Sequence, residues 1–450
     1  MVKFPTKLED LVPPAAIGKV LDILNQPVLA ATVREALHKV GMKDGSPVEQ
    51  VQHAWHQARG WLESVAQRML DISQVNPAII NATGQLVQPQ WNCLPVKSSV
   101  AEAIAAASSS FQDYDKIHAM ARRIATTVTG GEDVIFSTSL PVAIETLCRL
   151  SAFNQGLITP RTDAIRIPGF LDVRELLRQG PSPLIEIGAV NSTSNSDWPS
   201  NKNQGNQAIV LVSPNCLDIS DSAAQRSVAI SVAKSLGAVV VEILFDGVIT
   251  DNSNPCMNLP RVADRLASGT DLVIVPLDWF IGGPTGALIA GKASLVAAMD
   301  QAMRHRGLVM RGPDLAGVSA AIKDEGSGPE SPSGIGRLLA TSVENLENRA
   351  RRLVVQIEGT PKVKSIVTRQ RPCRIGPPPW SRYHLASCAV LIEPTGSVAH
   401  LRNELMTAPT GPSIMTGEED GLIMLDLRWV EASQDHFLVS ALLGETTSSF

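Results

Sequence analysis

No stretch of this sequence reaches the roughly 18 consecutive apolar residues that mark a membrane-spanning helix, so no membrane span is expected. Cysteine is sparse and scattered. Cys93, Cys148, Cys216, Cys256, Cys373 and Cys388 show no metal-type spacing and read as reduced thiols of a cytoplasmic protein. A surplus of positive charge is missing too: 39 Lys and Arg against 44 Asp and Glu leave a net charge of −5. That argues against a protein that grips DNA or RNA by bulk electrostatics. The first ten residues, Met1 to Asp10, hold no continuous apolar segment after their basic residues, which predicts no secretory leader. Neither a Walker-type loop nor a dinucleotide fingerprint occurs. In Gly282-Gly283-Pro284-Thr285-Gly286 a proline stands where a phosphate cradle needs an N–H. What is present is apolar material, 44% of 450 residues, enough for two or three domains around a large core.

The grammar changes along the chain. Residues 1–74 carry apolar positions at helical spacing, as in Val20, Ile23, Leu24, Val28 and again Val51, Trp55, Leu62, Val65, which predicts a helical N-terminal domain. From residue 75 to 323, short β-branched runs alternate with helical stretches. Runs at 133–136, 164–167, 184–187, 208–212, 238–241 and 272–275 read as strands. Leu140–Ser151, Val173–Arg178, Ala223–Leu236 and Leu259–Ala267 read as helices. Alternation of this kind predicts an α/β domain with a mainly parallel sheet. A Gly-, Ser- and Pro-rich stretch from Asp324 to Gly334 reads as a linker. Residues 324–450 then read as a linker helix and a small C-terminal α+β domain.

The most informative stretch is Asp278-Trp279-Phe280-Ile281-Gly282-Gly283-Pro284-Thr285-Gly286, between the apolar runs 271–277 and 287–290. Two short apolar runs around a glycine turn suit a buried strand pair whose loop approaches a ligand closely. The stretch resembles the cofactor-lysine loop of fold-type-I pyridoxal phosphate enzymes. It is most similar to Ser-Gly-Asp-Lys-Leu-Leu-Gly-Gly-Pro-Gln-Ala-Gly of the bacterial L-seryl-tRNA(Sec) selenium transferase family. Four further segments, in the same order, resemble that family: Ile80-Asn81-Ala82-Thr83-Gly84, Glu186-Ile187-Gly188 with Asn191, Ser213-Pro214-Asn215, and Leu425-Asp426-Leu427-Arg428. The resemblance implies a fold-type-I, aminotransferase-like large domain, pyridoxal phosphate as cofactor and assembly as a homo-oligomer.

The same resemblance exposes what is lost. At the family's Schiff-base lysine stands Trp279, and an indole cannot form a Schiff base. At the family's pyridinium-binding aspartate stands Ile243. Glu242 lies one residue away, on the opposite face of a strand, and Asp246 in the following turn. Where the family seats the cofactor phosphate, this chain has Ser137-Thr138-Ser139. Hydroxyls at a helix start could cradle a phosphate, but an ordinary N-cap is the simpler reading. Asp278, Gly282 and Gly283 keep the loop's shape and complete the candidate cofactor-binding residues. Lys292 and Lys116 read as surface lysines, and Asp278 as structural.

Other constellations read as structure. His53 and His56 lie three apart on a predicted helix without a third ligand, so no metal site is expected. Arg349-Ala350-Arg351-Arg352 reads as a solvated helix face with Glu344 and Glu347 as partners, and Glu418-Glu419-Asp420 as a solvated acidic turn. The family's N-terminal domain recognises a tRNA. Here residues 1–74 carry eight bases and eight acids, so tRNA binding has no electrostatic support. The expectation is a selenium-transferase-like protein that has lost covalent pyridoxal phosphate catalysis and has a binding or complex role. Alternatives are a working selenium transferase, or an enzyme of this fold holding the cofactor non-covalently.

Overall fold

A computed structural model describes residues 78–88, 94–166, 172–200, 206–249, 259–326, 334–407 and 411–444, all within one compact unit, Ala78–Ser448. The predicted helices of residues 1–74, their charges, His53, His56, Cys93 and Cys256 lie outside the described residues.

After strand β1 (Ile79–Ala82), helices α1 (Ser98–Ser108) and α2 (Tyr114–Thr129) lead into the alternating region. There follow β2 (Asp133–Ser137), α3 (Leu140–Cys148), β3 (Gly156–Pro160), α4 (Val173–Leu177), β4 (Leu184–Ile187) and β5 (Gln207–Ser213). Helix α5 (Ile219–Leu236), β6 (Val239–Leu244), α6 (Val262–Ala267), β7 (Leu272–Pro276), β8 (Ala287–Gly291), α7 (Ala293–His305) and α8 (Pro313–Gly326) complete it. The strands form one seven-stranded sheet in the order β2-β8-β7-β6-β5-β3-β4. Only β8 runs antiparallel to its neighbours, as the alternation of strands and helices predicts for a mainly parallel sheet.

Helices cover both faces, which is why β5, β7 and β8 are buried along their whole length, with polar side chains only at the two ends of β5, Gln207 and Ser213. Side chains alternate between the two sides. Ile135, Val210, Ile243, Ile274 and Ile289 share a core with Leu147 of α3 and Met299 of α7. On the other side, Val134, Phe136, Val273, Val275 and Leu288 share one with Ala125 of α2 and Val318 of α8.

The C-terminal segment holds α9 (Gly334–Ala340), α10 (Val343–Ile357), β9 (Val363–Arg374), β10 (His384–Pro394), α11 (Val398–Met406), β11 (Ser413–Glu419), β12 (Leu422–Asp426) and α12 (Asp435–Leu443). Its five-stranded sheet has the order β1-β11-β12-β10-β9. Strand β1 thus pairs in parallel with β11, Ile79 opposite Ser413, and sends Ile80 and Ala82 into the core beneath α10.

Three local expectations are corrected. Residues 164–166 form no strand; only an isolated bridge joins Arg166 to Asp172, after a 3₁₀ turn at Arg161–Asp163. The cause is Asp163, whose buried carboxylate accepts the Val212 N–H (2.7 Å), the Asn215 amide (3.0 Å) and the Thr162 hydroxyl (2.9 Å), folding the segment back across the sheet end. The reading also missed β3, which begins at Gly156 and ends at Pro160. Finally, Arg349 is not on a solvated face. It is buried and pairs with Asp435 at 2.6 Å while donating to the Val430 carbonyl at 3.0 Å. Only Arg351 pairs with Glu347 as expected, at 3.2 Å.

Candidate functional site

Open α/β sheets take ligands outside the carboxyl ends of their parallel strands. In this fold that edge is formed by the ends of β5, β6 and β7, and the retained glycine loop lies there. The loop is a tight turn between β7 and β8: the Leu277 N–H donates to the Gly286 carbonyl at 3.0 Å, and the Gly283 N–H to the Leu277 carbonyl at 2.8 Å. Gly282 has φ +69°, a region L side chains rarely adopt. A Cβ on Gly286 would strike Met310 and the Ser137 carbonyl. These glycines are explained by the turn itself.

Trp279 is 3% exposed, and its ring stacks on Trp380 with centroids 5.3 Å apart and planes 11° from parallel. Phe280 meets Trp380 at a tilt, 6.1 Å away. Trp380 comes from the tip of the β9–β10 hairpin, Ile375–Tyr383. That tip is closed by the Ile375 N–H to the Tyr383 carbonyl (3.3 Å) and the Trp380 N–H to the Pro377 carbonyl (2.8 Å). Ile243 is fully buried in the same core.

The hairpin tip also reaches the end of β6. Asp246, fully buried, accepts hydrogen bonds at Oδ2 from the Tyr383 hydroxyl (2.5 Å), the Ser213 hydroxyl (2.9 Å) and Arg382 Nη2 (3.4 Å). Its Oδ1 has no partner among the described residues, nor have Arg382 Nε and Trp380 Nε1. Arg382 continues to the segment after β5, donating to the Leu217 carbonyl at 3.3 Å. Burial, and then the Asp246 charge, push the Tyr383 phenol far above its usual range. Sequence reasoning left Asp246 in a turn and missed Trp380, Arg382 and Tyr383. The available signal was Pro377-Pro378-Pro379-Trp380, a stiff turn carrying an aromatic residue in a chain with only 4% aromatics.

Glu242 points the other way, as strand parity predicts. No irregularity interrupts its pairing, with Leu211 opposite Glu242 and Val212 opposite Ile243. Glu242 is 3% exposed and held by Arg226 (2.8 Å), Arg265 (3.5 Å) and the Thr270 hydroxyl. At the start of α3, Ser139 is an ordinary N-cap. Its hydroxyl accepts the Val142 N–H at 3.3 Å, its carbonyl accepts the Ala143 N–H, and Pro141 has no N–H to offer. The buried Ser137 hydroxyl donates to the Ser139 carbonyl (3.0 Å), and Thr138 faces solvent. An anion would find few free donors here. Lys292 is exposed and paired with Asp271 at 2.6 Å; Lys116 is 85% exposed and paired with Asp113 at 2.9 Å.

Asp278 is buried, and its backbone carbonyl accepts the Leu94 N–H at 3.0 Å. Burial pushes its carboxyl up to about 7, against a smaller lowering by the Thr285 hydrogen bond, and burial likewise pushes Asp163 up to about 7. An unfolded aspartate titrates near about 3.9. From about pH 4 to about pH 7 the folded chain therefore keeps protons that the unfolded chain releases, so stability falls as pH rises through that window. Asp278→Asn cannot ionise, so it is expected to lose less stability than the parent between about pH 5 and about pH 7. Urea titrations at the two pH values measure this, and parallel losses would place the slope elsewhere.

The other retained motifs serve the fold. Asn81 accepts the Thr83 N–H (3.2 Å) and hydroxyl (2.8 Å) and donates to the Gln85 carbonyl (2.8 Å), forming a closed turn that ends at Gly84, φ +74°. Glu186 pairs with Arg178 (2.5 Å) and Arg161 (3.5 Å). Arg369 and Arg371 pair with Glu419 (2.7 and 2.9 Å), Arg369 also with Asp420 (3.2 Å) and Arg371 with Asp426 (3.2 Å). The acidic turn at 418–420 is thus paired with this basic cluster as well as solvated. Among the described residues no group of three or more His, Cys, Asp or Glu could hold a metal ion, and no helix is long and apolar enough to cross a membrane.

Comparison with known proteins fits this pattern of kept scaffold. The chain is 25% identical over 426 residues to an L-seryl-tRNA(Sec) selenium transferase of Hyphomonas neptunium, covering 89% of each chain. It is 25% identical over 404 residues to one of Escherichia coli, covering 85% of this chain and 86% of that one. Among solved structures, a D-glucosaminate-6-phosphate ammonia-lyase superposes with a TM-score of 0.62 at 16% identity, over 84% of this chain and 98% of the other. The fold is that of the fold-type-I pyridoxal phosphate enzymes. A family model described as L-seryl-tRNA selenium transferase matches residues 79–431, and the chain belongs to that family.

Proposed function

We propose that this chain is a selenium-transferase relative without covalent pyridoxal phosphate catalysis, working as a binding or complex-forming protein. The observation that carries the reading is Trp279: it stands at the family's lysine position, 3% exposed and stacked on Trp380. The residues at the carboxyl edge do not fit the cofactor. They offer no amine for a Schiff base, an apolar Ile243 in place of a carboxylate, and a helix start at Ser139 whose donors are largely spent. We take the protein to be a cytoplasmic homo-oligomer, with residues 1–74 as a separate helical domain that lacks the charge surplus a tRNA backbone would require.

The purified chain mixed with pyridoxal phosphate is expected to show no Schiff-base absorbance near about 420 nm, and borohydride is expected to trap no adduct. An adduct on any internal lysine, located by peptide mass, would overturn the reading. The names of the relatives favour a second one, a working selenium transferase acting on seryl-tRNA, which requires such an amine. Cofactor retained on dialysis without a trapped adduct would instead indicate non-covalent binding.

A further inference from the structure

We infer that the hairpin tip Ile375–Tyr383 is a plug built from the chain itself, filling the crevice in which this fold takes its ligand. This rests on the reading that covalent cofactor chemistry is lost, and adds what now occupies the space. The tip touches the carboxyl ends of three adjacent parallel strands. At β5 it meets the last residue, Ser213, through Arg382 at 3.4 Å, and just beyond the strand the Leu217 carbonyl at 3.3 Å. At β6 it meets Asp246 through Tyr383 and Arg382. Past β7 it meets Trp279 through Trp380. That edge is where open α/β sheets bind ligands.

The plug has the chemistry of a ring-shaped ligand. A flat aromatic, Trp380, stacks in the crevice, and polar groups, Tyr383 and Arg382, reach a buried carboxylate at its floor. Trp380 and Tyr383 are 1% and 3% exposed, so the tip is packed rather than draped over an open pocket. Its base is the antiparallel β9–β10 ladder, paired up to Arg374 opposite His384. Pro377, Pro378 and Pro379 fix their φ angles, so little conformational entropy is lost when the tip seats. Gly376 is needed where a Cβ would meet Val87 at 2.9 Å and Trp380 at 3.1 Å.

The crevice is therefore blocked twice, by Trp279 and by Trp380, and restoring the lysine alone does not reopen it. Two plug-opening combined variants and one ring-keeping control test this by borohydride trapping of pyridoxal phosphate and peptide mass. Trp279→Lys alone is expected to give little adduct. Trp279→Lys with Trp380→Ala is expected to give at least about tenfold more, because a plug seated more than about nine-tenths of the time weakens apparent affinity by that factor. Trp380→Ala opens a large cavity, so a second route keeps its size: Trp279→Lys with Asp246→Asn, which weakens the anchor of Tyr383 and Arg382. Trp279→Lys with Trp380→Phe keeps a ring in place and is expected to stay near the single variant. Circular dichroism establishes that each variant is folded.

Adduct in the Trp380→Ala and Asp246→Asn combinations equal to that of Trp279→Lys alone would overturn the plug and leave the loss of chemistry standing. No adduct in either folded plug-opening variant would also overturn it. Adduct in the unsubstituted chain would instead overturn the functional reading.

Discussion

Replacing Glu242 with leucine is expected to lower the free energy of unfolding by roughly 3–5 kcal/mol, the usual cost of removing one partner from a buried ion pair. Glu242 is 3% exposed, and its carboxylate is shared by Arg226 at 2.8 Å and Arg265 at 3.5 Å, themselves 14% and 25% exposed. Arg226 continues to the Thr270 hydroxyl (2.8 Å) and the Arg265 carbonyl (3.2 Å), so one acid organises the packing of α5 and α6 on β6. Its loss strands two guanidinium groups close together. Glu242→Gln keeps the shape and one acceptor and is expected to fall between. Urea midpoints at unchanged slope give the numbers. If Glu242 were instead a displaced cofactor carboxylate, facing the crevice, its removal would leave stability nearly unchanged. A shift below about 0.5 kcal/mol, typical of surface substitutions, would refute the structural role.

Arg428→Ala is expected to cost a similar amount, roughly 3–5 kcal/mol. Arg428 is 3% exposed and donates to three backbone carbonyls, those of Leu338 (3.2 Å), Thr341 and Ala386, tying the end of α9 to β10. Each buried carbonyl left without a donor costs about 1–3 kcal/mol, partly offset by the guanidinium no longer being buried. Lysine has one nitrogen and cannot span three acceptors in a plane, so Arg428→Lys is expected to recover less than half. Thermal unfolding of the two variants checks the order, and equal midpoints for Arg428→Lys and the parent would contradict it. The motif Asp426-Leu427-Arg428 is thus accounted for without catalysis. Asp426, fully buried, accepts the Ser387 hydroxyl at 2.6 Å and the Arg428 N–H at 3.0 Å and pairs with Arg371.

These two cases show how residues shared with the family can be held by the fold alone. The matched residues Asn81, Gly84, Glu186, Asp426 and Arg428 close turns, pair charges or satisfy carbonyls. Their loss would cost folding free energy whatever the chain does. Trp279 and Ile243, which the proposed reading sets at the family's lysine and aspartate positions, pack as apolar core. Similarity over residues 79–431 therefore reports the scaffold, and function has to be argued at the crevice.

The local chemistry of the crevice was legible in the sequence because it depends only on residue identity and on a period of two. An indole carries no amine, and Glu242 and Ile243, adjacent on one strand, must face opposite sides. The alternation of strands and helices likewise fixed the α/β class. The buried role of Arg349 was not legible, because its partner Asp435 lies 86 residues on. Nor was the pairing of β1 with β11, more than 300 residues away. Helical or strand periodicity tells which residues share a face, and not what that face meets.

By itself, then, the sequence determined the layering of the sheet domain and the side chains that the glycine loop carries, Trp279 among them, since both follow from residue type and local repeat. Only the tertiary structure decided what packs against Trp279 and Asp246. Trp380 reaches Trp279 across about 100 residues of chain, and Tyr383 reaches Asp246 across 137. Contacts at that separation follow from how the β9–β10 hairpin seats against the ends of β5, β6 and β7, and packing of that kind has no local signature in a linear sequence.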